Sequence, residues 1–288
     1  MKTHPPSMLR RAACLLLAAT ASTLAFAQDY PARPIKLIVP YAPGGPVDLL
    51  ARAIGKELQA ELGQPVVADN IVGASGALAH QALARATPDG YTIAISGTSP
   101  LVLAPLQVKA LTYDALRDFS YLACPGTTPF VLDVRAQLPV ANVRELVAHA
   151  KANPGKLSFG SSGIGNSAFL AAELFQRAAG IEMVHVPYKG NAPAMADLLA
   201  GHIDLLFDTV QNTQPNLAGG RIRALAATSP QRLSILPDLP TVAESGFPGY
   251  QFSVWYALIA PKDTPAPIVE RLNRAVNKVV TEPGMKGR

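Results

Sequence analysis

Between residues 30 and 100 the chain alternates short apolar runs with helical periodicities. IKLIVP (35–40) is apolar at nearly every position, the mark of a strand covered on both faces. VDLLARAIGKELQAEL (47–62) repeats apolar residues at three- and four-residue intervals, which predicts an amphipathic helix ended by Gly63. PVVAD (65–69) reads as a strand, NIVGASG (70–76) as a loop and ALAHQALARA (77–86) as a helix. After the turn Pro88-Asp89-Gly90, YTIAIS (91–96) reads as a third strand. Strand–helix alternation of this kind predicts a parallel sheet with helices on its faces.

The same alternation returns further on, without a recognisable sequence repeat. FVLDV (130–134), LSFG (157–160), MVHVPY (183–188), IDLLFD (203–208) and IRALAAT (222–228) read as strands. VRELVAHAKA (143–152), AFLAAELFQRAA (168–179) and MADLLAG (195–201) read as helices. Two joints rich in Gly or Pro stand out, FSYLACPGTTP (119–129) and roughly 225–240. The tail, VWYALIAP (254–261) followed by PIVERLNRAVNKVV (267–280), has no neighbour of its own and is expected to return to the first unit. The predicted organisation is therefore α/β and two-lobed: residues 28–125 with 229–288 form lobe 1, and 126–228 form lobe 2. Two crossings between lobes give a hinged clamshell with a ligand cleft between them.

The first 27 residues follow a different pattern. Lys2, Arg10 and Arg11 precede the uncharged run AACLLLAATASTLAFA, which ends in Ala25-Phe26-Ala27. A basic start, a short apolar run and a small-x-small end predict a cleaved signal peptide, and hence a periplasmic protein. The run is too short for a spanning helix, and Cys14 lies before it, not at its end as a lipoprotein cysteine would. The peptide also changes the charge argument. Of 25 basic and 20 acidic residues, it holds three basic ones, leaving 22 against 20. A nearly neutral mature chain without basic runs gives no support for nucleic-acid binding. Only Cys124 remains after cleavage, so no internal disulfide forms, and it is expected to serve as a small buried apolar residue. With 49% apolar and 16% charged residues the chain can fill two cores and is not disordered.

Two strand-to-helix corners carry the candidate chemistry. In VPYAPGGPVD (39–48), Gly44 and Gly45 permit a tight turn and close backbone approach. Pro46 suits the first helical position, and the free N–H groups of that turn form an anion site at the positive end of the helix dipole. Asp48 in the same turn serves equally well as a cap. SFGSSGIGNSAFL (158–170) is a second such corner, offering Ser161, Ser162, Ser167, the Asn166 amide and several glycine N–H groups. Its GIGNSA formally matches a dinucleotide fingerprint, but Glu182 precedes the next strand where an acid should end it. Asp208 ends a strand at the edge where open α/β sheets bind ligands.

Enzyme chemistry finds little support. There is no G-x-S-x-G elbow, Cys124 lacks a nucleophile context, and His80, His149, His185 and His202 lack metal spacing. His185, on an apolar strand, reads as a satisfied core residue. Asp204 and Asp208 flank an apolar strand with no acid partner for paired-carboxylate catalysis. No cofactor or metal is predicted.

Segments along nearly the whole mature chain resemble the Bug-type periplasmic binding components of tripartite tricarboxylate transporters. They include YPARPIKLIVPYAPGGPVD (30–48), PDGYTIAISGTS (88–99), NPGKLSFGSSGIGNSAFLAAELF (153–175), HVPYKGNAPAMADLLAGHIDLLFD (185–208) and LPTVAESGFPGY (239–250). The resemblance implies a type II periplasmic-binding-protein fold that captures a small carboxylate for a membrane permease. It also implies a carboxylate held by backbone N–H groups and waters from loops 41–48 and 161–167, with Thr98 and Ser99 nearby. The candidate ligand-binding residues are Tyr41, Pro43, Gly44, Gly45, Asp48, Thr98, Ser99, Ser161, Gly163, Gly165, Asn166, Ser167 and Asp208. A monomer is expected, and a sensor protein could replace the permease as partner. The chain departs from the family at Val47, where Thr or Ser is common, and at Asn166 and Phe169, where Ser and His are common. Relatives usually run a few dozen residues beyond the last helix. The end at TEPGMKGR therefore reads as an early stop, and an extended chain is expected to melt higher and bind more tightly.

Overall fold

The computed structural model describes residues 30–108 and 111–282; the expected signal peptide lies outside them. The chain runs β1 (Ile35–Val39), α1 (Pro46–Leu62), β2 (Val66–Asn70), α2 (Ala77–Ala84) and β3 (Thr92–Gly97). A wide helical turn at Ser99–Leu103 leads into one α-turn, α3 (Ala104–Gln107), and then β4 (Phe119–Arg135). Next come α4 (Val143–Ala152), β5 (Ser158–Ser161), α5 (Ser167–Ala179), β6 (Val184–Pro187), α6 (Asn191–Ala200), β7 (Leu205–Thr209), α7 (Val210–Leu217) and β8 (Ile222–Ala227). β9 (Ser253–Pro261) and α8 (Ala266–Thr281) close the chain.

The strands pair in the order β2-β1-β3-β9-β4-β7-β5-β6, with β8 also on β4. β4 joins the two halves. Its first part pairs antiparallel with β9, from Phe119↔Pro261 to Pro129↔Ser253. Its second part pairs antiparallel with β7 and β8, from Phe130↔Thr209 and Val131↔Ala227 onward. Each lobe thus has three parallel strands (β2-β1-β3; β6-β5-β7), then one antiparallel strand from a crossing, then a last strand. Strands β4 and β9 are the two crossings. The architecture is thus the expected α/β fold of two lobes joined by two crossing strands.

Each sheet is covered on both faces, which explains why its strands read as continuous apolar runs. In β1, Ile35, Leu37 and Val39 pack with Ile54 and Leu58 of α1 and Leu272 and Val276 of α8. Ile38 turns to the opposite face with Leu83 of α2 and Ile259 of β9. The second lobe does the same with Phe159, Phe175 and Phe207 on one side and Leu198, Ile203 and Leu206 on the other.

Two expectations differ from the structure. The stretch after 228, assigned by composition to lobe 1, packs on lobe 2. Val242 and Tyr250 lie in that core, Tyr250 Oη donates to Ala171 O at 2.8 Å, and Thr241 bridges Ala227. Its prolines suggested a linker, but buried Val242 and Tyr250 anchor it, and pairing with the first sheet begins at Ser253. Cys124 is exposed, not buried. The β4–β9 register shifts between Ala123 and Gly126, and the bulge turns Cys124 outward.

Candidate functional site

The first corner is built around a buried acid. Gly44 adopts φ +80°, and Gly45 caps α1 in an extended conformation with Pro46 at its first position. The Asp48 carboxylate, 2% exposed, accepts from Gly44 N at 2.9 Å, Arg52 Nε at 2.8 Å and Asn70 Nδ2 at 2.9 Å. Asn70 Nδ2 also donates to Tyr41 O at 2.9 Å, so one amide ties the loop's start to its end. Burial alone would push the Asp48 carboxyl up. The bonds from Arg52, Gly44 and Asn70, with the Arg52 charge, more than offset this and hold it below its ordinary value. Asp48 therefore shapes the loop and does not face the cleft.

The second corner is organised by Ser161 and Asn166. Ser161 is fully buried; it donates to Gly163 O at 2.9 Å, and His185 Nε2 lies 2.6 Å from its oxygen. With that proton given to Gly163, the ring nitrogen is the donor. His185 stacks on Phe159 (4.9 Å) and packs against the tilted ring of Phe169 (4.7 Å), and burial lowers its pKa. Phe169 thus packs against the loop's supporting histidine. Asn166 caps α5: its side chain accepts from Phe169 N at 2.8 Å and donates to Ser162 Oγ at 2.7 Å. Both residues hold the loop, and neither presents its polar atoms to the cleft.

The corners face each other across a closed cleft. Ser99 and Ser167 meet oxygen to oxygen at 2.8 Å, and Ser167 N donates to Ser99 Oγ at 3.0 Å. Farther out, Gln107 Nε2 donates to Gly165 O at 3.0 Å, Ser75 Oγ to Ile164 O at 2.9 Å, and Ala42 N to Lys189 O at 3.3 Å. Beside the Ser99–Ser167 contact lies an inner cavity of about 60 Å³ between the lobes. A water molecule needs roughly 10–15 Å³ by this measure, so the space suits a few ordered waters or a small solute. The outer bonds, a latch formed by Gln107–Gly165 and Ser75–Ile164, line a second, wider cavity of about 500 Å³.

Among the described residues, no charged side chain lines the inner cavity. Its polar groups are the hydroxyls of Tyr41, Ser96, Thr98, Ser99, Ser162, Ser167, Thr209 and Tyr256, the Asn191 amide and the Trp255 indole. Val47 makes part of the wall apolar. Burial raises Tyr41 to about 12, against a hydrogen bond with Ser99. Burial also raises Tyr256, followed by the charges of Asp208 and Tyr41, so both phenols stay neutral donors. An anion here would be met by hydroxyl and amide donors at two helix starts, not by a cation.

Of the predicted residues, Tyr41, Gly45, Thr98, Ser99 and Ser167 line the inner cavity, and Gly163 and Gly165 line the outer one. Thr98 Oγ1 also accepts from Trp255 N at 3.1 Å. Pro43 and Gly44 are exposed and line neither cavity. Asp208 is fully buried behind the wall, where it accepts from Asn191 Nδ2 at 2.6 Å, Thr209 N at 2.8 Å and Asn212 Nδ2. Burial pushes it up to about 6, and these three donors pull the other way. Ser96, Phe130, Asn191, Thr209, Trp255 and Tyr256 also line the inner cavity and were not among the predicted residues. Asn191 starts α6 and Thr209 ends β7, so the strand-end logic used elsewhere would have found both. Phe130, Trp255 and Tyr256 lie on the crossing strands, which carry no local signature. Among the described residues there is no metal-ligand cluster, and no helix is long and apolar enough to cross a membrane.

Residues 50–287 match the family described as "Tripartite tricarboxylate transporter family receptor", and the chain belongs to that family. BugT of Bordetella pertussis is 38% identical over 255 residues, covering 88% of this chain and 78% of its own. The structure of R. palustris Rpa4515 with adipate superposes with TM-score 0.87 at 37% identity, covering 89% of this chain and 86% of its own. MatC (Rpa3494) from Rhodopseudomonas palustris, with bound malate, gives 0.84 at 32% identity, covering 89% and 87%. The family and these neighbours are solute-binding proteins; the chain is a binding protein and not an enzyme.

Proposed function

We propose that this protein is exported by a signal peptide that is then cleaved, closes around a small carboxylate in the periplasm, and presents it to the membrane permease of a tripartite tricarboxylate transporter. One observation carries the reading. Two helix starts on opposite lobes, at Gly45–Pro46 and Asn166–Ser167, converge on a cavity lined by neutral donors. A carboxylate suits such a site because oriented N–H and O–H groups stabilise it without a buried counter-ion. Malate in MatC and adipate in Rpa4515 support the ligand class. A ligand bridging Ser99 and Ser167 would favour the closed form, which a permease could recognise. A thermal-shift screen of carboxylates, neutral sugars and cations tests this. A carboxylate at 100 times its dissociation constant should add about 2.7 kcal/mol to stability. Stabilisation by sugars or cations alone would reject it.

A further inference from the structure

The lobe 2 wall of the cleft holds two polar groups whose hydrogen-bonding roles can be worked out. The first is Asn191, 9% exposed, at the start of α6. Its Nδ2 points at the Asp208 carboxylate, 2.6 Å away. A carboxylate with three N–H donors around it only accepts, so this orientation of the amide is fixed. The remaining edge of the amide is its carbonyl oxygen, and Asn191 lines the inner cavity. Asn191 therefore offers the cleft an acceptor.

The second is Thr209, 2% exposed, which also lines the cavity. It stands at the N-cap of α7, where a threonine hydroxyl would ordinarily accept from the first turn, but it makes no such bond. Among the described residues Thr209 Oγ1 has no hydrogen-bond partner at all. A buried hydroxyl without a partner costs stability, so its place beside the cavity points to a ligand group.

We infer that Asn191 and Thr209 select a carboxylate bearing a hydroxyl, which donates to Asn191 Oδ1 and accepts from the Thr209 hydroxyl. This rests on the carboxylate reading above and narrows it to hydroxycarboxylates. A hydroxyl satisfies both groups at once. An ammonium only donates, so it would leave the Thr209 O–H without an acceptor. Asp208 acts as a positioning residue, since it decides which edge of Asn191 faces the ligand.

The test is titration calorimetry with two matched pairs, malate and succinate, and 3-hydroxybutyrate and butyrate, plus aspartate, on the wild-type protein and Thr209→Val. The valine keeps the shape and the backbone N–H that Asp208 uses. Its ligand-free melting temperature should equal or exceed that of wild type, because an unpartnered buried hydroxyl is removed. Wild type should favour the hydroxylated member of at least one pair about tenfold, and the variant should bring that ratio to near parity, whatever it does to the two affinities together. Parity in both pairs for wild type overturns the inference and leaves the carboxylate reading standing. So does a preference that Thr209→Val leaves intact, or aspartate binding better than malate. If none of these and no member of the wider carboxylate panel binds, the carboxylate reading falls and this inference with it.

Discussion

Mild acid should loosen the cleft through His80. This residue of α2 is fully buried, with Nδ1 2.9 Å from Gly76 O and Nε2 2.5 Å from Ser96 Oγ. The Gly76 carbonyl only accepts, so Nδ1 carries the proton and Nε2 accepts from the serine hydroxyl. The ring is neutral, packed at 5.5 Å from Tyr113 and 5.8 Å from Phe119, and it braces Ser96 of the cavity wall. Burial lowers its pKa from 6.5 to about 4, against the Gly76 carbonyl, which raises it. The folded value lies below the unfolded one, so the contribution is complete above about pH 6.5 and is lost as pH falls towards about 4. The gap is worth about 3 kcal/mol over the whole window, and about 2 kcal/mol is gone by about pH 5. Asp208 titrates in the opposite sense, because its folded value is raised, so a single melting curve mixes the two. The comparison that isolates His80 is wild type against His80→Gln, each unfolded in urea near neutrality and at about pH 5. Asp208 cancels between them. Wild type should lose about 2 kcal/mol more than the variant on acidification. Equal losses would refute the argument that His80 is held neutral by burial.

Two glycines separate closure from folding. Gly165 has φ +73°, and a Cβ there would lie 1.4 Å from Gln107 Oε1, so Gly165→Ala must expel the latch glutamine. Carboxylate affinity by calorimetry should fall about tenfold, close to 1.4 kcal/mol, and unchanged affinity would show that the latch does not serve closure. Gly45 has φ −80°, and its Cβ would sit 3.6 Å from Ala192 N on the other lobe, which is ordinary contact. Gly45→Val should therefore leave ligand-free stability within about 0.5 kcal/mol while its methyl groups hinder closure and weaken binding. Matched losses of stability and affinity would make this corner a purely structural one.

Sequence patterning was most informative where a segment's own periodicity decides its state. IKLIVP and the helix ended by Gly63 both form because their apolar residues face cores on the expected side. It was least informative where tertiary contacts override composition. CPGTTP reads as a break yet lies inside β4, because β9 pairs along it and a bulge absorbs the irregularity. The proline-rich stretch before Val242 reads as a linker yet is anchored to lobe 2. At the site, residue types at the corners located the cleft but not the division of labour within it. Ser161, Asn166 and Asp208 are as polar as Ser99 and Ser167, and only three-dimensional neighbours show that the first three hold the walls. Gly44 and Gly45 look alike in sequence, but only Gly44 needs a positive φ and only Gly45 meets the other lobe.

The central claim, that a carboxylate binds between the lobes, has a built-in reporter. The chain has a single tryptophan, and Trp255 lines the inner cavity on a crossing strand, with its amide bonded to Thr98. Titrating carboxylates while recording its emission observes the proposed site directly. Carboxylate binding beside Trp255 should give a saturable change whose midpoint agrees with the affinity measured by calorimetry, and neutral sugars should give none. A carboxylate that binds and stabilises the protein while Trp255 emission stays constant would place the ligand elsewhere and contradict binding between the lobes.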